Sequence, residues 1–160
     1  MPPERVFIAL GANLGESHAA LLKAADQISL LPGTRVVETS PFYTSAPVDA
    51  TGPDYMNAVV EVETALAPAD LMQALLGIEA EQGRLRAHRH APRTLDLDLL
   101  LYGQRISDDP FVTLPHPRLH LRAFVLLPLL DIEPRLVHPV LGPLMAHRSA
   151  VAGQCLRKLG

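Results

Sequence analysis

Arg84-Leu-Arg-Ala-His-Arg-His-Ala-Pro-Arg-Thr-Leu-Asp-Leu-Asp-Leu-Leu-Leu-Tyr102 divides into two halves of opposite character. The second half alternates, with Leu95, Leu97, Leu99 and Leu101 on one side and Asp96, Asp98, Leu100 and Tyr102 on the other. Alternation of this kind predicts a strand with an apolar core face. Residues two apart on a strand share a face, with α-carbons about 6.5 Å apart, so Asp96 and Asp98 stand side by side. Two carboxylates so placed can hold one hard cation, or bracket two that lie about 3.5–4 Å apart. The first half is basic: Arg84, Arg86, Arg89 and Arg93, with His88 and His90 between them. No apolar stripe pins it to a core, so a mobile loop is expected. Arginine reads phosphate oxygens with a planar fork of donors, and magnesium bridges such oxygens to aspartate. The pairing of the two halves therefore points to a polyphosphate with its magnesium ions, ahead of a merely solvated strand face.

Outward from this strand, Val6–Leu10 reads as a buried strand that turns through Gly11-Ala-Asn-Leu-Gly15 into a helix. Leu21, Ala25, Ile28 and Leu31 recur there at helical spacing, Ser17 is a candidate cap, and Pro32-Gly33 stops the helix. The glycine turn reads as a strand-to-helix connection rather than a phosphate cradle. Arg35–Phe42 predicts a second strand, and Thr44–Asp54, with Pro47, Gly52 and Pro53, a long loop of the functional kind. In Tyr55–Thr64, Met56, Ala58, Val60 and Val62 face a core while Tyr55, Asn57, Glu61 and Glu63 face away. Taken alone, that second set reads as a solvated sheet face. Pro68 opens a second helix and Gly83 closes it, which brings Glu79 and Gln82 beside the basic segment. Further on, Pro115 and Pro117 fix the backbone of His116, and Arg122–Leu130 predicts an apolar helix with a kink or break at Pro128. A weak helix is expected over Leu144–Val151. The order strand, helix, strand, strand, helix, strand predicts an α+β fold. It is a ferredoxin-like βαββαβ sheet with a C-terminal helical extension, in a single domain over residues 1–160.

Several function classes drop out. There is no G-x-x-x-x-G-K-[ST], G-x-S-x-G, H-E-x-x-H or C-x-x-C segment, which removes the P-loop, common hydrolase, zinc-protease and redox readings. The longest apolar run, Ala123–Leu130, is too short to span a bilayer, and the N-terminus does not read as a secretory signal. One cysteine fits a reducing compartment, so a cytoplasmic location is expected. A net charge of -3 argues against bulk nucleic-acid binding, and four of the 14 Lys and Arg fall between residues 84 and 93. An RNA-binding sheet would display aromatics where these strands carry Asp96, Asp98, Glu61 and Glu63. A divalent-metal hydrolase of nucleotides is the remaining rival.

Arg89-His-Ala-Pro-Arg-Thr-Leu-Asp-Leu-Asp-Leu-Leu100 resembles the signature segment of the 6-hydroxymethyl-7,8-dihydropterin pyrophosphokinase family. Gly11–Gly15, Pro53-Asp-Tyr-Met-Asn57, Glu79–Arg84, Pro115-His-Pro117 and Arg122-Ala-Phe124 are similar to the family as well, so the resemblance covers nearly the whole chain. It implies transfer of the β,γ-diphosphate of ATP to the hydroxymethyl oxygen of the pterin, with release of AMP. It assigns Asp96 and Asp98 to two magnesium ions, and Arg84 and Arg93, with those acids, to catalysis from loops that close over the site. Glu79, Arg84, Arg86, Arg93, Thr113, His116 and Arg122 would lie on the ATP side. Tyr55 and Phe124 would sandwich the pterin, Asn57 would pair with its edge, and Ser45 and Val48 would meet it through their backbones. The chain lacks the Trp that some members carry in the arginine loop, His90 standing near that place, and Pro117 replaces a tyrosine of some relatives. ATP and the pterin are the expected partners of a monomer that engages neither nucleic acid nor membrane.

Overall fold

The computed structural model describes residues 3–13, 17–45, 55–85 and 95–159, with side chains as far as residue 82 in the third segment. Its main sheet is antiparallel and is built on β1 (Glu4–Ala12), whose hydrogen-bonding edges are both taken. After β1 come α1 (Ser17–Ser29), β2 (Thr34–Thr39), β3 (Tyr43–Ser45), β4 (Tyr55–Thr64), α2 (Pro68–Leu85) and β5 (Leu95–Tyr102). β4 pairs with β1 from Glu4↔Thr64 to Ala12↔Met56, and β5 pairs with the other edge of β1. The far edge of β4 is shared, β2 covering its C-terminal part and β3 the stretch from Tyr55 to Asn57. The strand expected over Arg35–Phe42 is β2, which ends at Thr39 and has a register shift between Val36 and Glu38. Thr44 and Ser45, expected to open a long loop, belong to β3, and the rest of that loop lies outside the described residues.

Each face of this sheet carries a core, because alternate residues of β1 point to opposite sides. Val6, Ile8 and Leu10 pack with Val60 and Val62 against Leu21, Ala24 and Ile28 of α1 and Leu71, Leu75 and Ile78 of α2. Phe7 and Ala9 pack with Val59 on the other face against α3 (Ala123–Ile132), through Val125, Leu126 and Leu129. Burying two faces explains why the middle of β1 reads as a nearly continuous apolar run.

The chain beyond β5 forms two small hairpins, β6 (Ser107–Asp108) with β7 (Thr113–Leu114) and β8 (Val137–His138) with β9 (Gly142–Pro143). The expected helix over Leu144–Val151 is a pair of tight turns, Leu144–His147 and Ser149–Val151, in 3-10 geometry. The last strand, β10 (Arg157–Lys158), adds itself to the edge of β3. Two helix ends differ from expectation. α2 continues past Gly83 to Leu85, and α3 runs through Pro128 to Ile132. Pro128 is buried inside the helix, as are Leu126 and Leu129.

The alternation in β5 also breaks. Phe7 pairs with Leu101 but Ile8 pairs with Leu99, so β5 spends one extra residue, Leu100, on a single step of β1. Beyond this bulge the faces exchange. Leu101 joins Leu100 in the α3 core, and Tyr102 turns to the α1–α2 core, where its hydroxyl donates to the Leu66 carbonyl. The pattern of leucines assigned both side chains to the wrong face because nothing in it marks a bulge.

Candidate active site

The register places a bare strip down the middle of the α3-side face. Gly11 of β1 pairs with Asn57 on β4 and with Asp96 on β5, and Ala9 likewise pairs with Val59 and Asp98. With neighbouring strands about 4.8 Å apart, Asn57 and Asp96 flank a floor on which nothing larger than a methyl group stands. Gly11 is needed for a second reason. A β-carbon there would lie 3.1 Å from Asn57 Oδ1, closer than side chains ordinarily settle.

Over this floor opens a cavity of about 800 Å³, within the range of small-molecule sites. Its β5 end holds Asp96 and Asp98, and its β4 end holds Tyr55, Asn57 and Ser45. Phe124 and Val125 from the first turn of α3, with Arg122 just before it, complete the wall, together with Gln154 and Cys155 near the C-terminus. Asn57, whose outward position alone reads as solvated, is only 5% exposed. Its Nδ2 donates to Ser45 Oγ at 3.3 Å, which orients the amide along the floor. The Arg122 guanidinium lies 5.7 Å from the Phe124 ring centre, a cation–π distance that keeps the two side chains together.

The β5 end is electrostatically tense. Burial and the charge of Asp98 hold the Asp96 carboxyl above its ordinary pKa. Glu79 stands on α2 behind the strand, and its Oε2 accepts the Leu97 N–H at 2.7 Å. Its own pKa is raised by burial and, more weakly, by Asp96 and Asp98, against the lowering effect of that hydrogen bond. Asp96 and Glu79, which both resist ionisation, stand with Asp98 at this end, and crowded carboxylates are a good seat for a hard cation. Among the described residues no group of three His, Cys, Asp or Glu could hold a metal alone. The pair fits magnesium as that ion usually binds, through one or two carboxylates with phosphate oxygens and water completing the shell.

His116 is placed by the bulge. Its N–H donates to the carbonyl of Leu100, the extra residue, at 2.9 Å, and its Nδ1 accepts the Arg118 N–H at 3.1 Å. Any ring proton therefore sits on Nε2, ready to donate. Burial lowers the His116 pKa, with Arg122 and Arg118 adding to this and Asp98 opposing it, so the ring is neutral at pH 7. Thr113 is exposed on β7, and its hydroxyl donates to the Asp109 carbonyl. Val48, Arg86 and Arg93 lie outside the described residues, as does the side chain of Arg84. Sequence reasoning missed Ala9 and Gly11 as floor and Gln154 and Cys155 as wall. Small residues on a strand and a tail far along the chain carry no motif, and only pairing brings them to the site.

The chain has close relatives. The sequence profile of the 7,8-dihydro-6-hydroxymethylpterin-pyrophosphokinase (HPPK) family matches residues 7–134. A 2-amino-4-hydroxy-6-hydroxymethyldihydropteridine pyrophosphokinase from Pseudomonas aeruginosa is 47% identical over 137 residues, 85% of each chain. The protein of the same name from Haemophilus influenzae is 47% identical over 134 residues, 83% of this chain and 84% of its own. Among solved structures, a Plasmodium falciparum HPPK-DHPS superposes with a TM-score of 0.73 at 11% identity, covering 92% of this chain and 45% of that one. The present chain spans less than half of that two-part protein, and the likeness there is one of fold.

Proposed function

The chain belongs to the HPPK family, and from that membership and its two-ended cavity we infer that it transfers diphosphate from ATP to 6-hydroxymethyl-7,8-dihydropterin in folate biosynthesis. The hydroxymethyl oxygen bonds to the β-phosphorus, the bond from that phosphorus to the α–β bridging oxygen breaks, and AMP leaves with the bridging oxygen. The hydroxyl proton passes to solvent. The observation that carries this reading is the division of one cavity. Paired carboxylates stand on β5, and a buried amide with two aromatic rings stands about two strand widths away.

At the β4 end a flat heterocycle would lie on the Gly11 floor. Tyr55 and Phe124 offer its stacking faces, and Asn57 offers one donor and one acceptor to its edge. Ser45, and Val48 beyond it, would meet the same ring. At the β5 end the polyphosphate would lie between Asp96 and Asp98 on one side and cations on the other. Arg122, with the neutral His116 as a donor, would serve that side, to which Glu79 and Thr113 are also assigned. Arg84, Arg86 and Arg93 are assigned to phosphates from the basic segment. Two magnesium ions held by Asp96 and Asp98 would neutralise the charge that develops on the transferring oxygens, the dominant need in phosphoryl transfer.

The fold supports the finer assignments proposed with it. We propose a ferredoxin-like βαββαβ topology, supported by the strand order β2–β4–β1–β5 with α1 and α2 on one face. We assign residues 1–160 to one domain of a cytoplasmic, monomeric enzyme that engages no nucleic acid. Among the described residues no helix is long and apolar enough to cross a membrane.

The test is to follow AMP from ATP and magnesium, with and without the reduced pterin. AMP that appears only with the pterin, in step with pterin diphosphate, is the expected result. Nucleotide hydrolysis at the same rate without the pterin would instead make the protein a metal-dependent hydrolase.

A further inference from the structure

The family match ends at residue 134, yet Gln154 and Cys155, which come after it, complete one wall of the cavity. Gln154 is the one whose side chain reaches another element. Its Oε1 accepts the Ala123 N–H at 2.9 Å, and its Nε2 donates to the Leu121 carbonyl at 2.9 Å. The two ends of one amide thus bracket Arg122 and fix the turn from which α3 starts.

The first turn of any helix leaves backbone N–H groups without intrahelical partners. A side chain at the preceding residue usually satisfies one of them. That residue is Arg122, which makes no such bond. Gln154 caps the Ala123 N–H instead, from 31 residues beyond Ala123. Its own backbone is held on both sides. The Gln154 N–H donates to the carbonyl of Val151 at 3.1 Å, and Val151 and Leu156 both pack into the α3 core. Next, β10 pairs with β3, and the Leu159 N–H donates to the Phe42 carbonyl at 2.8 Å. The segment therefore ties the start of α3, which carries Arg122 and Phe124, to β3, which carries Ser45.

We propose that Gln154 is a positioning residue for the pterin end of the cavity, acting through Phe124 by fixing the first turn of α3. The proposal rests on the reading of Phe124 as a plate against the pterin. A single side chain must both donate and accept here, which an amide does and neither Glu nor Met can. Phe124 is one residue past the bonded Ala123 N–H, so release of that bond frees the turn that aims the ring.

A double-mutant cycle on the full chain tests this. Binding of 6-hydroxymethyl-7,8-dihydropterin is measured with a non-hydrolysable ATP analogue and magnesium present, for the parent, Gln154→Met, Phe124→Ala and the double variant. Tm is recorded for each. Gln154→Met is expected to weaken pterin binding about tenfold in the parent, and less than about twofold where Phe124 is already Ala. Gln154→Glu keeps the acceptor for Ala123 and loses the donor, so its loss should be smaller. It also serves as the partner in the cycle if the Met variant does not fold. Equal losses in both backgrounds, or no loss in Gln154→Met while Phe124→Ala binds weakly, would overturn the proposal and leave Gln154 a structural cap. If Phe124→Ala alone binds pterin as the parent does, the plate reading itself fails, and the proposal with it.

Discussion

At Asp96 the demands of folding and of chemistry run in opposite directions. Burial and Asp98 raise its pKa in the folded chain. As pH rises past the ordinary aspartate range, the unfolded chain gives up this proton first and the folded chain keeps it. Stability therefore falls with rising pH through that window, and the penalty persists at pH 7. Asp96→Asn removes the penalty and also removes a proposed magnesium ligand. The variant is expected to gain about 1–3 °C in Tm without metal or nucleotide, while losing most diphosphate transfer. A calorimetric scan beside an AMP assay checks both, and a lower Tm would mean that the carboxylate holds the strand instead of straining it. Gly11 gives the complementary case. Ala in place of a strand glycine ordinarily stabilises by roughly 0.5–1 kcal/mol, but here its β-carbon would push on Asn57 Oδ1 from 3.1 Å. Gly11→Ala should weaken pterin binding by about three- to tenfold, the scale of one lost hydrogen bond, with ATP-analogue binding unchanged. Equilibrium titration with each ligand distinguishes this local effect from a general loss of fold.

At the scale of the element, β5 shows what the pattern of residues could and could not convey. Asp96 and Asp98 side by side, with leucines behind them, followed from alternation alone and stand in the structure as expected. So did the outward position of Asn57, although not its burial, which comes from α3 lying over a face whose partner helix is distant in sequence. The bulge at Leu100 was illegible for a physical reason. A run of three leucines satisfies either face equally, and the extra residue is recorded only in the pairing with Phe7 and Ile8. The same blindness hid Glu79 as a structural partner, since its bond to the Leu97 N–H depends on how α2 lies along the strand. That bond yields a clear expectation. Glu79→Ala leaves a part-buried N–H without its acceptor, at about 1–3 kcal/mol, and should lower Tm by several degrees. Glu79→Gln keeps an acceptor oxygen and removes a charge near Asp96 and Asp98, so its Tm should match or exceed the parent's. Thermal unfolding of the two variants side by side decides it, and equal losses would show that the charge itself holds β5.

Across the whole molecule, the layer behind α3 holds two histidines, His120 and His138, that burial favours in their neutral form. His138 is buried, and its Nδ1 accepts two backbone N–H groups, from Val140 at 3.1 Å and Leu141 at 3.0 Å. The His120 ring stands edge-on to His147 at 5.3 Å, and its Nδ1 is buried without a hydrogen-bond partner among the described residues. Burial lowers the pKa of both His120 and His138, and the neighbouring imidazoles add to it. The sign follows directly. As pH falls through the ordinary histidine range near 6.5, the unfolded chain takes up these protons before the folded chain does, so stability is lost on the acid side. Leu119 and Leu144, which flank these histidines, are buried in the core under α3, so the loss is expected to reach the wall that carries Arg122 and Phe124. The drop in Tm between pH 7.5 and pH 5.5 should therefore shrink in His138→Asn, by about 2 °C or more. An asparagine oxygen can accept the same two N–H groups in an Asx turn without titrating. Tm measured at both pH values on parent and variant tests this, and an unchanged drop would place the acid sensitivity elsewhere in the fold.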